Sequence, residues 1–434
     1  MMIWNERQER LSTDERHQQQ SERLCQLVER VYASVPPYRA KMDALGISPG
    51  DIRSIDDLPR LPFTTKDDLR ENYPFGLFAK PRRDIVRIHA SSGTTGHATV
   101  VGYTRADVQL WAEVVARCLA GASVSANDMI QVAYGYGLFT GGLGLHYGAE
   151  LLGATVVPIS GGNTKRQIQL MRDFEATVLA CTPSYALHLA DAMREAGVER
   201  SELKLRVGIF GAEPWTEAMR QKIESELGII AIDIYGLSEI VGPGVACECV
   251  ERQGLHVQDD HFFPEIIDPE TGASAKSAGR GELVFTTLTK EGLPLIRYRT
   301  RDLTELESAP CACGRTTTRM RKCLARSDDM LIIRGVNLFP SQVEAVMLEI
   351  PGLSPHYRLI VNRVSNLDQL TLEVEADEQV FSDSIVKLEN FTLRVRKALE
   401  SAIGLGIEVK LVEPRTIERS EGKAKRVIDK RRLQ

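Results

Sequence analysis

The stretch LRVGIFGAEPWTEAMRQKIESELGIIAIDIYGLSE, residues 205–239, contains two short apolar segments on either side of a longer polar one. The apolar segments have the length of buried strands, and TEAMRQKIESEL between them has the spacing of a surface helix. The same alternation begins near residue 85 and includes segments such as MIQVAY and ATVLACTP. Short apolar strands separated by helices predict a parallel sheet covered on both faces, and therefore an α/β fold.

The pattern changes twice on the carboxyl side of this region. Residues from about 245 to 325 contain strand-like segments and loops, which predict a β-rich subdomain. After Ser327, short strand-like segments such as YRLIVNR alternate with helix-like segments such as SQVEAVMLEI. We therefore predict a large N-terminal domain with parallel sheets and helices over residues 1–327, and a small α+β domain over residues 328–434.

Composition and charge exclude several classes of protein. The 434 residues carry a formal net charge of −5, which argues against a strongly basic nucleic-acid-binding protein. The N-terminal residues are polar, and no run approaches the ~18 apolar residues that a membrane helix requires. We expect a cytoplasmic protein that binds neither nucleic acid nor a membrane.

A glycine-rich turn follows the first predicted strand of the α/β region. It reads Ala90-Ser91-Ser92-Gly93-Thr94-Thr95-Gly96-His97. Small residues let backbone N–H groups converge on an anion, and hydroxyl groups can donate hydrogen bonds to phosphate oxygens. The spacing fits neither a Walker A loop nor a dinucleotide-binding fingerprint. The turn is a candidate phosphate-binding loop, with a flexible surface loop as the alternative.

Six motifs resemble, in chain order, those of the adenylate-forming enzymes, the superfamily that includes acyl- and aryl-CoA synthetases. They are SSGTTG at 91–96, GAEP at 211–214, DIYGLSE at 233–239, YRTRD at 298–302, RSDD at 326–329 and SEGK at 420–423. Longer stretches, including DDHFFPEIIDPETG and RSDDMLIIRGVNLFPSQVE, resemble the phenylacetate–CoA ligase family. His97 departs from the pattern, because many such ligases have lysine there.

This resemblance implies a reaction in which a carboxylate attacks the α-phosphorus of ATP and the thiol of CoA then displaces AMP. Lys423 would neutralise charge between the carboxylate and the α-phosphate, and Glu239 would hold the Mg²⁺ that bridges phosphates. Asp302 would accept hydrogen bonds from the ribose hydroxyls. Without the resemblance, Lys423 is a solvated residue of a basic tail, Glu239 an N-cap-region residue, and Asp302 the partner of Arg299 or Arg301.

The resemblance also implies which residues surround the nucleotide. Tyr235 would stack on the adenine, Arg326 would reach the nucleotide, and Asp328 would be the hinge between the two domains. A core aromatic and a surface ion pair are the alternatives for Tyr235 and Arg326. The predicted nucleotide-binding residues are Ser91, Ser92, Gly93, Thr94, Thr95, Gly96, Ala212, Glu213, Pro214, Asp233, Ile234, Tyr235, Gly236, Ser238, Asp302 and Arg326.

The glycine-rich stretch at residues 134–148 is the candidate acid pocket. Tyr136 and Phe139 would form aromatic walls, and Gly141 would leave room for a ring. No arginine, lysine or histidine lies between residues 131 and 145, which favours a flat, apolar acid. The alternative is a helix start packed against the sheet, and the two interpretations are compatible.

Two close cysteine pairs, Cys247/Cys249 and Cys311/Cys313, flank the β-rich region. Structural zinc sites use four sulfur or nitrogen ligands arranged as a tetrahedron. We predict a structural zinc site made of Cys249, His256, Cys311 and Cys313, in which Cys247 could replace one ligand. Free thiols are the alternative.

The predicted function is an ATP-dependent aryl-acid–CoA ligase that forms an acyl-adenylate, with phenylacetate as the expected acid. The resemblance implies ATP, CoA and Mg²⁺ as substrates and cofactor, and a homodimer. The first alternative is a related adenylating enzyme for another aryl acid, which loads CoA or a carrier protein. The second is a non-catalytic nucleotide- and zinc-binding module, and the joint presence of Lys423, Asp302 and Glu239 argues against it.

Overall fold

The structure is a computed structural model in which the chain forms two compact units. The described residues are 2–90, 99–275, 279–323, 325–327, 331–333, 336–364, 367–381, 385–419 and 426–431. The first unit contains Met1–Cys181, Ser201–Ala212 and Ile229–Lys322. The second contains Thr182–Arg200, Glu213–Gly228 and Cys323–Gln434. The C-terminal segment is thus grouped with two segments from the middle of the chain, and the division into 1–327 and 328–434 stays a prediction.

The helices of the first unit precede or alternate with its strands. They are α1 (Glu6–Glu9), α2 (Thr13–Ser34), α3 (Pro36–Ala44), α4 (Lys66–Glu71), α5 (Arg105–Gly121), α6 (Gly141–Leu152) and α7 (Thr164–Asp173). Ser12, Thr65 and Thr104 begin α2, α4 and α5 with reciprocal capping boxes, which satisfy backbone N–H groups that have no partner inside the helix. Short 3-10 turns cover Pro49–Asp51, Ile55–Arg60, Arg82–Asp84 and Arg200–Glu202.

The strands of the first unit are short. They are β1 (Arg87–Ala90), β2 (Val100–Tyr103), β3 (Met129–Val132), β4 (Thr155–Val157), β5 (Val178–Cys181), β6 (Val207–Gly211), β7 (Ile230–Leu237), β8 (Gly242–Glu248), β9 (Leu255–Val257), β10 (Phe262–Ile267), β11 (Gly281–Thr287), β12 (Tyr298–Thr304), β13 (Leu306–Glu307) and β14 (Arg319–Met320). Strands β1 and β2 pair with each other antiparallel.

The main sheet has the order β13-β14-β9-β8-β7-β6-β5-β3-β4. Strands β4, β3, β5, β6 and β7 are parallel, which confirms the prediction from their alternation with helices. From β8 onward the neighbours are antiparallel. The sequence predicted a β-rich subdomain from about residue 245, and the strands are there: β8, β9, β13 and β14 extend the main sheet, whereas β10, β11 and β12 belong to a second sheet. A turn as short as the one between β7 and β8 permits only an antiparallel return.

A second group of strands supplies part of the candidate site. Strands β10, β11 and β12 pair in that order, all antiparallel. Burial alternates along β12, with Tyr298, Thr300 and Asp302 buried and Arg299 and Arg301 less so. The register of β11 and β12 shifts within this stretch, and Asp302 is buried like Tyr298 and Thr300.

The second unit is an α+β structure in its C-terminal part, as the sequence predicted. Its helices are α8 (Pro183–Glu195), α9 (Glu217–Leu227), α10 (Pro340–Leu348), α11 (Glu378–Phe381) and α12 (Ile385–Ile403). Its strands are β15 (Ala325–Arg326), β16 (Leu331–Ile333), β17 (Val336–Leu338), β18 (Leu353–Val364), β19 (Leu367–Ala376), β20 (Glu408–Val412) and β21 (Val427–Asp429).

A four-stranded sheet of order β20-β19-β18-β21 supports this C-terminal part. The pair β18–β19 is antiparallel, whereas β19–β20 and β18–β21 are parallel. Val343 of α10 and Val395 of α12 are fully buried in one core with Leu359 and Leu372 of the sheet. None of the described helices combines the length with the apolar composition that a bilayer crossing demands.

Glycines of α6 let this helix approach α5 closely. A Cβ on Gly148 would lie 2.3 Å from Cγ1 of Val115, and one on Gly144 would lie 2.6 Å from the ring of Trp111. A helix does begin at Gly141, and it packs against α5 and, at Gly144, also against Pro243 of β8.

The variant Gly148→Ala is expected to lower the free energy of unfolding by about 1–3 kcal/mol, because the new methyl group overlaps Val115. This loss outweighs the gain in helix propensity of about 1 kcal/mol. Urea unfolding followed by circular dichroism measures the change. Gly50→Ala is the control, since no atom lies within 4 Å of a Cβ there. Equal unfolding midpoints for the two variants would contradict this packing.

Candidate active site

Several predicted nucleotide-binding residues meet at one edge of the main sheet. Strands β6 and β7 are parallel, so Ala212 and Ser238, which follow them, lie at the same edge. A Cβ on Gly211 would lie 2.1 Å from the carbonyl oxygen of Ile234, so the two backbones approach closely here. Ala212 is exposed and has a φ of +71°, a left-handed conformation that occurs often at ligand-binding turns.

Tyr235 and Asp302 are joined although they come from different sheets. The hydroxyl of Tyr235 donates a hydrogen bond to Oδ2 of Asp302 at 2.5 Å, and Asp302 is only 7% exposed. The alternative for Asp302 was pairing with a neighbouring arginine. Arg299 and Arg301 instead both pair with Glu282, at 2.6 and 3.5 Å. The structure thus couples a predicted adenine-stacking ring to a predicted ribose acceptor.

The remaining predicted residues of β7 hold its position in the sheet. The backbone N–H of Asp233 donates to Oε2 of Glu248 at 2.9 Å, and Ile234 pairs with strands on both sides. A Cβ on Gly236 would lie 1.8 Å from the carbonyl oxygen of Gly242, so only glycine fits. These residues shape the strand behind Tyr235.

The turn between β7 and β8 presents Ser238 and Glu239. The hydroxyl groups of Ser238 and Thr140 lie 3.1 Å apart, which links this turn to the start of α6. Glu239 is 7% exposed, and its backbone carbonyl accepts a hydrogen bond from Nζ of Lys290 at 3.0 Å. Sequence reasoning missed Lys290. The available signal was the pair Lys290-Glu291 inside the otherwise uncharged run VFTTLTKEGLPLI.

Other predicted nucleotide-binding residues lie in the second unit. Oε1 of Glu213 accepts a hydrogen bond from the backbone N–H of Ser184 at 2.8 Å and another from its hydroxyl. Pro214 is exposed, and Arg326 is half-buried in β15. The predicted phosphate-loop residues, the hinge Asp328 and the catalytic Lys423 lie outside the described residues; the loop residues are Ser91, Ser92, Gly93, Thr94, Thr95 and Gly96.

The candidate acid pocket adjoins the end of β1, the strand that precedes the predicted phosphate loop in the chain. The backbone N–H of Ala90, the last described residue before that loop, donates to the carbonyl oxygen of Leu138 at 3.1 Å. His89 Nδ1 lies 3.0 Å from the same oxygen. Phe139 exposes 47% of its surface, and Gly141 lies beside the ring of Tyr134. Leu138 therefore joins the candidate acid pocket to the end of β1.

Tyr136 gives the acid pocket a polar side that the sequence did not indicate. Its hydroxyl lies 3.2 Å from Nδ1 of His146, whose Nε2 lies 3.1 Å from Oε1 of Glu150. Burial raises the pKa of Tyr136, which keeps the hydroxyl protonated. The run without basic residues ends at residue 145, and the next residue is His146, which contacts Tyr136 of the predicted aromatic wall.

A Cβ on Gly142 would lie 2.8 Å from the carbonyl oxygen of Gly135, so the absence of a side chain at Gly142 leaves space for the backbone of Gly135.

The four predicted zinc ligands lie together. The ligand atoms of Cys249, His256, Cys311 and Cys313 are all within 4.8 Å of one another, and all four residues are buried. Sγ of Cys249 lies 3.8 Å from Sγ of Cys311, and Sγ of Cys313 lies 3.4 Å from Nε2 of His256. Tetrahedral zinc with ordinary bond lengths separates such ligands by roughly 3.5–3.8 Å. Cys247, the alternative ligand, lies outside this group.

The surroundings of these four residues favour metal binding. Nδ1 of His256 lies 2.9 Å from the hydroxyl of Thr317, which leaves Nε2 directed at the cysteines. A hydrogen bond from Cys249, with the approach of His256, holds the pKa of Cys313 well below its ordinary range. The thiolate is the form of cysteine that binds metals. A buried ion pair between Arg315 and Glu9 ties this loop to α1.

This α/β fold with an α+β C-terminal part is that of an adenylate-forming enzyme. A sequence model described as the AMP-binding enzyme C-terminal domain matches residues 335–431. A solved 2-hydroxyisobutyryl-CoA ligase in complex with 2-HIB-AMP, in the postadenylation state, superposes with a TM-score of 0.92 at 30% identity and covers 98% of this chain and 92% of that chain. With 2-HIB-AMP and CoA, in the thioesterification state, such a ligase gives a TM-score of 0.72 at 31% identity, with the same coverage of both chains.

Relatives of known function show to which family of adenylate-forming enzymes the chain belongs. The phenylacetate–coenzyme A ligase of Escherichia coli is 52% identical over 427 residues, which cover 98% of this chain and 97% of that ligase. The phenylacetate–coenzyme A ligase of Thermus thermophilus is 51% identical, with 99% of this chain and 100% of that ligase covered. The chain belongs to the phenylacetate–coenzyme A ligase family.

Proposed function

We propose that the protein is an ATP-dependent phenylacetate–coenzyme A ligase. It would convert phenylacetate, ATP and CoA to phenylacetyl-CoA, AMP and diphosphate through phenylacetyl-adenylate. The observation that carries this proposal is the joining of Tyr235 to Asp302 beside the turn that presents Glu239. High identity to ligases of this name over nearly the whole chain supports the choice of acid and of acceptor.

Asp302 and Tyr235 would bind the nucleoside part of ATP. A carboxylate accepts hydrogen bonds from vicinal ribose hydroxyls, and an aromatic ring at its side offers the adenine a face to stack on. The hydrogen bond of 2.5 Å between the two side chains fixes the carboxylate relative to the ring. Sugar and base would therefore be positioned by one coupled pair.

Glu239 and Lys423 would act on the phosphates. Mg²⁺, when bound, neutralises phosphate charge, and it prefers one or two carboxylates together with phosphate oxygens. Glu239 fits as such a carboxylate because it is nearly buried at the sheet edge where the predicted nucleotide contacts meet. Lys423 would stabilise charge that develops between the attacking carboxylate and the α-phosphate. Residues Ser91 to Gly96 would donate hydrogen bonds to the phosphates.

The acid would bind beside Tyr136 and Gly141. The ring of phenylacetate suits an aromatic wall, and the hydroxyl of Tyr136, held at His146, would limit the depth of the pocket. The second step would then use CoA, and we expect the C-terminal domain from residue 328 to rotate about Asp328 between the two steps. Assembly as a homodimer in the cytoplasm remains part of this proposal.

The experiment that tests the proposal measures diphosphate release from ATP with a panel of acids, with and without CoA. Phenylacetate is expected to give the highest kcat/KM. Benzoate, which lacks one methylene, is expected to be weaker by about 10–200-fold. Product analysis should find phenylacetyl-CoA only when CoA is present. Preferential diphosphate release with another aryl acid would contradict the choice of phenylacetate as substrate. If none of the acids in the panel supports diphosphate release, the protein is not a ligase of this kind.

We also propose that Cys249, His256, Cys311 and Cys313 bind a structural zinc ion. Four protein ligands leave no position for water or substrate, so the ion would support the fold rather than the reaction. It would connect the loop that carries Cys311 and Cys313 to strand β9, where His256 lies.

Metal analysis of protein purified without chelator is expected to give about one zinc ion per chain. Cys311→Ser is expected to lose the zinc and to lower the thermal unfolding midpoint, since binding energy of a structural zinc is folding energy. Cys25→Ser is the control, because Cys25 is only partly buried and lies outside the group. The zinc site would be contradicted if the purified parent protein contains no metal and if its thermal unfolding midpoint equals that of Cys311→Ser.

A further inference from the structure

Lys290 is a buried charged residue to which the sequence assigned no role. Its side chain has no exposed surface, although lysine is rarely buried completely. Its ammonium donates hydrogen bonds to the carbonyl oxygens of Glu239 at 3.0 Å and Ile240 at 2.6 Å. It also lies 4.9 Å from the ring centroid of Tyr103, close enough for a cation–π interaction. The charge is thus directed at the turn between β7 and β8.

The hydroxyl of Tyr103 completes the set of contacts to this turn. It lies 3.3 Å from the carbonyl oxygen of Ser238 and 3.2 Å from that of Val241. Four consecutive carbonyl groups, at residues 238–241, therefore face two side-chain groups, the ammonium and the phenol. The ammonium can donate to both of its carbonyl groups, whereas the phenol shares one proton between its two, and together these contacts hold the conformation of the turn.

The backbone around Lys290 is itself held in place. Its carbonyl accepts a hydrogen bond from Arg30 at 2.9 Å. The next two backbone N–H groups, of Glu291 and Gly292, donate to the carboxylate of Asp107 at 2.7 and 2.8 Å. A lysine at this position is therefore placed by contacts to α2 and α5, and not by the turn alone.

Burial of this ammonium carries an energetic penalty. Desolvation lowers the pKa of Lys290 to about 8, and the carboxylates of Asp107 and Glu239 offset only part of that effect. An apolar side chain of similar length would fill the same space without the penalty. The contacts of Lys290 with the Glu239 turn offer a reason for a charge here.

We propose that Lys290 is a positioning residue for Mg²⁺-bound ATP. It fixes the turn that carries Ser238 and Glu239, so that the carboxylate of Glu239 is held toward the metal. This inference rests on the proposed function for the assignment of Mg²⁺ to Glu239. Lys290 itself contacts neither substrate nor metal.

The test is equilibrium binding of ATP to the full chain by calorimetry, with Mg²⁺ and with EDTA. For Lys290→Met, the Kd of ATP with Mg²⁺ is expected to rise about tenfold, because hydrogen bonds from a charged donor to the turn are lost. The Kd with EDTA is expected to change by less than about twofold, since the metal contact is then absent. Lys204→Met, at an exposed lysine, is the control and is expected to match the parent.

A general structural defect in Lys290→Met would affect the two binding measurements differently from this expectation. It would weaken ATP binding equally with Mg²⁺ and with EDTA, and that result would overturn the proposal. A Kd for ATP with Mg²⁺ equal to that of the parent would overturn it as well.

If Lys290→Met does not fold, Tyr103→Phe is the deciding variant, because it removes the phenol contacts to the same turn. It is expected to raise the Kd only with Mg²⁺, by about threefold, and an unchanged Kd overturns the proposal. Absence of diphosphate release by the parent contradicts the proposed function separately, since these binding measurements need no acid.

Discussion

A Cβ on Gly236 would lie 1.8 Å from the carbonyl oxygen of Gly242, so β7 and β8 touch just before the chain reverses between them. This contact and the short turn force an antiparallel return at the edge of a parallel sheet. The reversal has two consequences for the site. It presents Ser238 and Glu239 at the carboxyl end of β7, and it places them near Tyr235, whose hydroxyl donates to Asp302 of another sheet.

The turn is stable because its polar groups are bound. Leaving a buried carbonyl without a partner costs about 1–3 kcal/mol, and here the ammonium of Lys290 donates to two carbonyl groups while the single proton of the Tyr103 hydroxyl lies within reach of two more. Tyr103 comes from β2, the strand after the phosphate loop, and Thr140 from the start of α6. The proposed phosphate, acid and metal contacts therefore share one framework, and a change in one is expected to affect the others.

The parts of the fold and of the candidate site that could be predicted are those that depend on residues close together in the sequence. Strands β3 to β7 and the helices between them follow from periodicity, and the four residues of the proposed zinc site follow from the residue types that zinc prefers. The partners of β8 and β9 could not be predicted, because strand pairing depends on neighbours distant in sequence. The same applies to Lys290, which acts on a turn about 50 residues away, and to His146, whose contact with Tyr136 requires the geometry of α6. The predicted phosphate loop and Lys423 stay predictions.

The central claim is that the carboxylate of the acid attacks the α-phosphorus of ATP. Phenylacetate labelled with ¹⁸O in both carboxylate oxygens tests this directly, when the AMP formed during phenylacetyl-CoA synthesis is examined by mass spectrometry. Formation and displacement of an acyl-adenylate would leave one carboxylate oxygen on phosphorus, so each AMP is expected to carry one ¹⁸O. Unlabelled AMP, or ADP together with labelled orthophosphate, would contradict the account.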